Sequence, residues 1–142
     1  MTNTISKPNT VSSAEEATFA FGGPRGSAHA LGDIGNQTII FRSGKVLDSI
    51  QIGEALYGGS KGGHPQQATL PADGRIYLST LQAGYINGDL VINYFEATIN
   101  GTLIKSGEPN SNTTMLRTNT FVILSKITSG DYIDSLEFTI AS

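Results

Sequence analysis

No cysteine occurs anywhere in the 142 residues. Disulfides are therefore excluded, and the redox compartment is left unconstrained. Charge is sparse too, at 15% of residues with a net of -3, and Lys and Arg form no cluster. That speaks against a nucleic-acid partner, which needs a basic face, and against attraction to acidic membranes. No apolar run approaches the roughly 20 residues of a spanning helix. The first 16 residues carry no apolar signal core. The expectation is a cytoplasmic protein, with release by a non-classical route as the alternative. Histidine is scarce, represented only by His29 and His64, both in glycine-rich surroundings. There is no Gly-X-Ser-X-Gly elbow and no His-Glu-X-X-His helix, so nucleophilic and zinc-dependent hydrolysis lack their usual carriers. Acidic residues and histidines nowhere fall at metal-ligand spacing. No catalytic residue, metal or cofactor is expected.

The length suggests one domain with enough chain to bury a core. Hydrophobic content of 38% and a mean hydropathy of -0.08 suit a globular protein. Residues 1–14, rich in Ser, Thr and Asn, read as a flexible leader, and 15–142 as the domain. Short runs of β-branched and aromatic residues recur between Gly, Asn, Asp and Pro punctuation every 8 to 12 residues, and no stretch keeps a helical period. The class is all-β: a sandwich, barrel or prism. Asn87-Gly88 and Asn100-Gly101 are hairpin signals. Sequons at Asn36, Asn100 and Asn112 read as chance in a chain rich in Asn and Thr.

The chain writes one phrase twice. Ser43-Gly-Lys-Val-Leu-Asp-Ser-Ile-Gln-Ile is echoed by Ser129-Gly-Asp-Tyr-Ile-Asp-Ser-Leu-Glu-Phe. Both open on Ser-Gly, place Asp four residues after the Gly, and run on as a strand. Period-two alternation puts Val46, Asp48, Ile50 and Ile52 on one face, and Tyr132, Asp134, Leu136 and Phe138 on the matching face. An acid thus sits in each apolar row, at the rim where a turn or a ligand can satisfy it. The copies are 86 residues apart, so a third would begin near residue 87. There Gly84-Tyr-Ile-Asn-Gly-Asp is only a loose match, with Gly88 where the acid should be and Asp89 one residue late. Two well-kept repeats and one degraded repeat imply pseudo-threefold symmetry.

A glycine turn followed by an inward carboxylate sets backbone N–H groups beside a charged acceptor, the pairing that saccharide hydroxyls need. The competing reading is that Asp48 and Asp134 only cap their own turns. A carboxylate pair for glycoside cleavage is disfavoured, because symmetry-related positions would lie far apart.

Four pieces in this order, Phe21-Gly-Gly, the first phrase, Gly58-Gly-Ser-Lys-Gly-Gly and the second phrase, resemble the jacalin-related lectins over about residues 18–142. The resemblance implies a β-prism of three four-stranded antiparallel sheets about a pseudo-threefold axis. It implies a carbohydrate site built from Gly22, Gly23, Gly130, Asp131, Tyr132 and Asp134, with Tyr85 as an apolar wall. A second site would use Gly44, Lys45, Val46, Asp48 and Gly59. It further implies a non-catalytic, mannose-binding agglutinin, preferring mannose or glucose to galactose because Gly22 lies inside an uncut chain. Multivalent action on glycans or glycoproteins as a homodimer or higher homo-oligomer goes with it. The alternative is a prism used for protein interaction or structure, with sugar binding lost. Pro24 and Arg25 depart from the family's glycine pattern, as does the loop Ser106–Asn112.

Overall fold

The computed structural model describes residues 17–59, 63–111 and 113–141, and the expected leader lies outside them. Among the described residues there are eleven strands and no helix. They are β1 (Thr18–Gly22), β2 (Ser27–Ala30), β3 (Thr38–Ser43), β4 (Leu47–Ile52), β5 (Ala55–Gly58), β6 (His64–Thr69), β7 (Arg75–Ile86), β8 (Asp89–Ile99), β9 (Thr102–Gly107), β10 (Thr114–Ser129) and β11 (Ile133–Ile140). One sheet has the order β5-β4-β3-β6, and a seven-stranded sheet runs β1-β11-β10-β7-β8-β9 with β2 also on β10. Every pairing is antiparallel.

The seven-stranded sheet reconciles with the expected three sheets of four through β10. Its first part, Thr114–Ile123, pairs with β7, while Val122–Ser129 pairs with β11 and Lys126–Ser129 with β2. One strand therefore serves two faces, β9-β8-β7-β10 and β1-β11-β10-β2, and register shifts between Arg117 and Thr120 and between Leu124 and Lys126 let it turn the corner. Polar Thr118, Asn119 and Thr120 interrupt the apolar pattern of this strand, so periodicity alone would divide it in two. His29 lies in β2 and His64 opens β6.

Each of the three faces has one strand with a bulge at the same place. Ser43 pairs with Leu47 but Arg42 with Ser49, leaving Asp48 extra; Ser129 pairs with Ile133 but Thr128 with Ser135, leaving Asp134 extra. Ala83 pairs with Ile92 and Gln82 with Tyr94, so Asn93 is the third such residue. The bulge resets the alternation. Leu47 and Ile133, placed by strict period two on the far face, are fully buried together with Ile92, while Ile50 and Leu136 beyond the bulge are buried as well. A bulge inserts one residue and re-aims its neighbours, so both phases reach the core.

The bulged strands β4, β8 and β11 touch one another, which sets them around a common axis. Their buried side chains form one cluster, and Phe41 stacks on Phe95 at 4.5 Å between ring centres. The two Asn-Gly signals are turns with consecutive positive φ, Asn87 and Gly88 at 51° and 86° and Asn100 and Gly101 at 50° and 84°, as two-residue hairpins require.

Candidate functional site

A glycine strut holds each bulge. Gly22, Gly58 and Gly107 end β1, β5 and β9 with φ of 128°, 111° and 95°, and a Cβ on any of them would strike the carbonyl of Asp134, Asp48 or Asn93 respectively. The N–H that follows each glycine donates to that same carbonyl: Gly23 to Asp134 at 2.8 Å, Gly59 to Asp48 at 3.2 Å and Glu108 to Asn93 at 3.0 Å. The Gly23 and Gly59 N–H groups are thus engaged by the chain's own carbonyls. Gly23 is also pressed against the Leu90 backbone and Gly59 against that of Asp131.

The element that closes over each carboxylate is a second glycine. A Cβ on Gly26 would come to 2.6 Å from Asp134 Oδ2, and one on Gly63 to 2.7 Å from Asp48 Oδ2. Sequence reading missed Gly26, Arg25 and Asp89. The signal available was the recurrence of a glycine directly before β2 and β6, after each Gly-Gly pair.

Asp134, only 5% exposed, lies at the floor of a cavity of about 240 Å³. Gly130, Asp131 and Tyr132 form one wall, Arg25 and Gly26 another, and Ile86, Asn87, Asp89 and Val91 of the β7–β8 hairpin the third. Of the expected primary-site residues, the fold thus brings together Gly130, Asp131, Tyr132 and Asp134. Gly22 packs behind Asp134 on Ser135. Tyr85, expected here, instead lines the cavity of Asn93. Burial pushes the Asp134 carboxyl above its ordinary 3.8, the nearby Asp89 and Asp131 carboxylates push the same way, and Arg25 and the Gly130 N–H oppose them. Arg25 Nε also pairs with Asp89 at 3.0 Å.

Burial likewise raises Asp48, with the Gly44 N–H opposing. Gly44, Lys45 and Val46 form the turn between β3 and β4, and Asp48 is the second residue of β4. Residues 60–62, between Gly59 and Gly63, lie outside the described residues.

The third repeat is displaced from the position the arithmetic gave. Gly84 does correspond to Gly44 and Gly130, because each follows the strand residue paired across the bulge (Ala83, Ser43 and Ser129). The side chain in the bulge, however, is Asn93, nine residues after Gly84 rather than four. Neither Gly88 nor Asp89 takes the acid's place; both belong to a hairpin five residues longer. The three turns interlock in a ring. The β7–β8 hairpin walls the Asp134 cavity, Lys45 and Val46 wall the Asn93 cavity, and Asp131 packs on Gly59 beside Asp48.

A folded-state value above 3.8 means that the native chain binds this proton more tightly than the unfolded chain. The ionised Asp134 therefore costs stability above its folded value, and the cost is relieved as pH falls toward 3.8. Arg25 lowers the carboxyl, so Arg25→Ala should move the Asp134 titration midpoint, followed by its carboxyl ¹³C shift, to higher pH. A midpoint that stays in place or falls would show that the ion pair with Asp89 absorbs all of the Arg25 charge.

No protein-family model and no curated protein matches the sequence. Solved structures do match in fold. Malaysian banana lectin superposes with a TM-score of 0.64 at 19% identity, covering 89% of this chain and 98% of that one. Artocarpin complexed with methyl-α-mannose gives 0.66 at 15%, covering 89% and 98%. A mannose-specific jacalin-related lectin from Morus nigra in complex with mannose gives 0.65 at 16%, covering 94% and 99%. The fold is the β-prism of the jacalin-related lectins.

Proposed function

We propose that this chain binds carbohydrate without transforming it, through the Asp134 cavity and, secondarily, the Asp48 turn. The observation that carries the reading is a buried carboxylate, raised in pKa, at the floor of an open cavity with the Gly130 N–H at its side. Two adjacent sugar hydroxyls can donate to its two oxygens and replace the water that burial removed. Charge-assisted bonds of this kind are stronger than neutral ones. The fold is shared with lectins solved with mannose and mannotriose, which supports mannose or glucose as the preferred class.

A glycan array tests the reading. Retention on mannose-terminated glycans, competed by methyl α-mannoside and not by galactose, is the expected result. Galactose competition alone would overturn the preference. Silence across the array would favour a protein-interaction prism. Release of reducing sugar would point to hydrolysis, which the neighbouring Asp89 and Asp131 carboxylates could serve.

Each site should be weak alone. A shallow site with a few hydrogen bonds falls near millimolar, about -4 kcal/mol, and joining sites raises avidity by about 10² to 10⁴. Two carboxylate sites per chain provide that valency, and a homodimer would double it. Met115, Phe121 and Ile140, all exposed on β10 and β11, are the apolar side chains such a dimer would cover. Agglutination lost on dilution while monovalent sugar binding persists is the expected sign.

A further inference from the structure

The chain holds two Asn-Gly pairs, at 87–88 and 100–101, and both form the tips of two-residue hairpins with nearly identical φ. Asparagine is a thermolabile residue, and before glycine it is most exposed to loss of its amide, because glycine has no side chain to shield its own nitrogen. A Cβ on Gly88 or Gly101 would meet nothing within 4 Å, so both nitrogens are open to approach. Neither glycine N–H is held by a backbone carbonyl among the described residues. The two asparagine amides differ, however. Asn100 Nδ2 donates to the Thr69 carbonyl at 3.2 Å, which ties it across to β6. The Asn87 side chain, exposed at its tip, holds no hydrogen bond among the described residues. Asn87 also borders the Asp134 cavity.

We infer that Asn87 is a self-modification site, converting to aspartate or isoaspartate and so adding a fourth carboxylate to the Asp134 cavity. The Gly88 nitrogen attacks Asn87 Cγ. A bond forms between them, the Cγ–Nδ2 bond breaks, and the amide leaves as ammonia with the proton of the Gly88 N–H. Water then opens the five-membered imide: its hydroxyl joins one carbonyl carbon and its proton returns to the nitrogen. One water is taken up and one ammonia released, with no oxidant, reductant or enzyme. Opening at one carbonyl gives ordinary aspartate. Opening at the other gives isoaspartate, whose backbone is one atom longer and strains the Ile86–Asp89 pairing of a two-residue turn. Reaching Cγ requires the tip to open, as exposed turns do readily; at Asn100 the bond to Thr69 must break as well. The cavity already holds Asp89, Asp131 and Asp134, and its cation, Arg25, is engaged with Asp89 at 3.0 Å. Tyr132 is the remaining titratable side chain on its wall. A new like charge at position 87 disfavours ionisation of the acids around it. The inference stands whether or not the cavity takes a sugar.

The test ages the full chain at mildly alkaline pH and follows conversion by mass spectrometry against an unaged control. Both pairs fall in one tryptic peptide, Ile76–Lys105, so fragment ions place each new acid within a single peptide. Conversion at Asn87 should run about 2- to 12-fold faster than at Asn100, the factor that one net hydrogen bond supplies. The acidic fraction, separated by anion exchange, and a freshly made Asn87→Asp variant should both show the Asp134 carboxyl ¹³C midpoint moved to higher pH. Asn87→Gln, whose longer side chain closes a ring far more slowly, should accumulate no such fraction. Conversion at Asn87 no faster than at Asn100 would overturn the modification site. Faster conversion with an Asp134 midpoint that stays in place or falls would overturn its coupling to the cavity, as would a shifted fraction that still accumulates in Asn87→Gln. No step uses a sugar, so these outcomes are read independently of the glycan array.

Discussion

Asp134→Ala should silence the main site and leave the fold intact. Removing a charged acceptor from a hydrogen-bonded pair costs roughly 1.5 to 3 kcal/mol, which is about a 10- to 150-fold loss for a site that begins near millimolar. Binding there would become undetectable. In a titration with methyl α-mannoside the Gly130 and Tyr132 amide signals should stop moving. Gly44, beside Asp48, should respond as before, because the two carboxylates lie in separate bulges with separate struts and independent sites add. Asp48→Ala should give the converse. The stability readout separates this from simple unfolding. Burial and two neighbouring acids raise Asp134, so its ionised form opposes folding at neutral pH. The variant should melt no lower than the wild type at pH 7, and any advantage should shrink as pH falls toward 3.8. A variant that melts well below the wild type at pH 7 would show that Asp134 is there to cap its turn. An unaltered sugar response would remove it from the site.

Phe95→Ala should be the most damaging single truncation away from the sites. Phe95 is 1% exposed and stacks on Phe41, linking the β8 face to the β3 face across the axis. Large-to-small changes at buried phenylalanines cost about 3 to 5 kcal/mol through lost transfer energy and residual cavity. In a domain of this size that lowers the melting temperature by roughly 6 to 20 °C. Urea unfolding should show a lower midpoint with an unchanged slope. A loss under about 1 kcal/mol would mean that the three faces collapse to fill the space, and that the axis is less tightly packed than the stacked rings indicate.

Much of this was legible in the chain. Alternating β-branched runs, Asn-Gly turns and the duplicated Ser-Gly-X-X-X-Asp phrase are local patterns, and local patterns fix strand identity, hairpin turns and the existence of a repeat. They placed Asp48 and Asp134 in matching positions, with Gly130, Asp131 and Tyr132 beside the second. The fold then decided what no local pattern could. Strict period two put Leu47 and Ile133 on the wrong face, because a bulge exists only relative to the partner strand that skips a residue. The third acid was sought near residue 88, because the five extra residues of the β7–β8 hairpin are invisible until Ala83 is seen to pair with Ile92. The carbonyls that accept from the Gly23 and Gly59 N–H groups lie 111 residues ahead and 11 behind, beyond any local pattern. Arg25 and Gly26 join Asp134 from one distant stretch and Asp89 from another. A backbone N–H chooses its acceptor and a cavity its walls by proximity in space, and the packing of three faces about one axis sets that proximity.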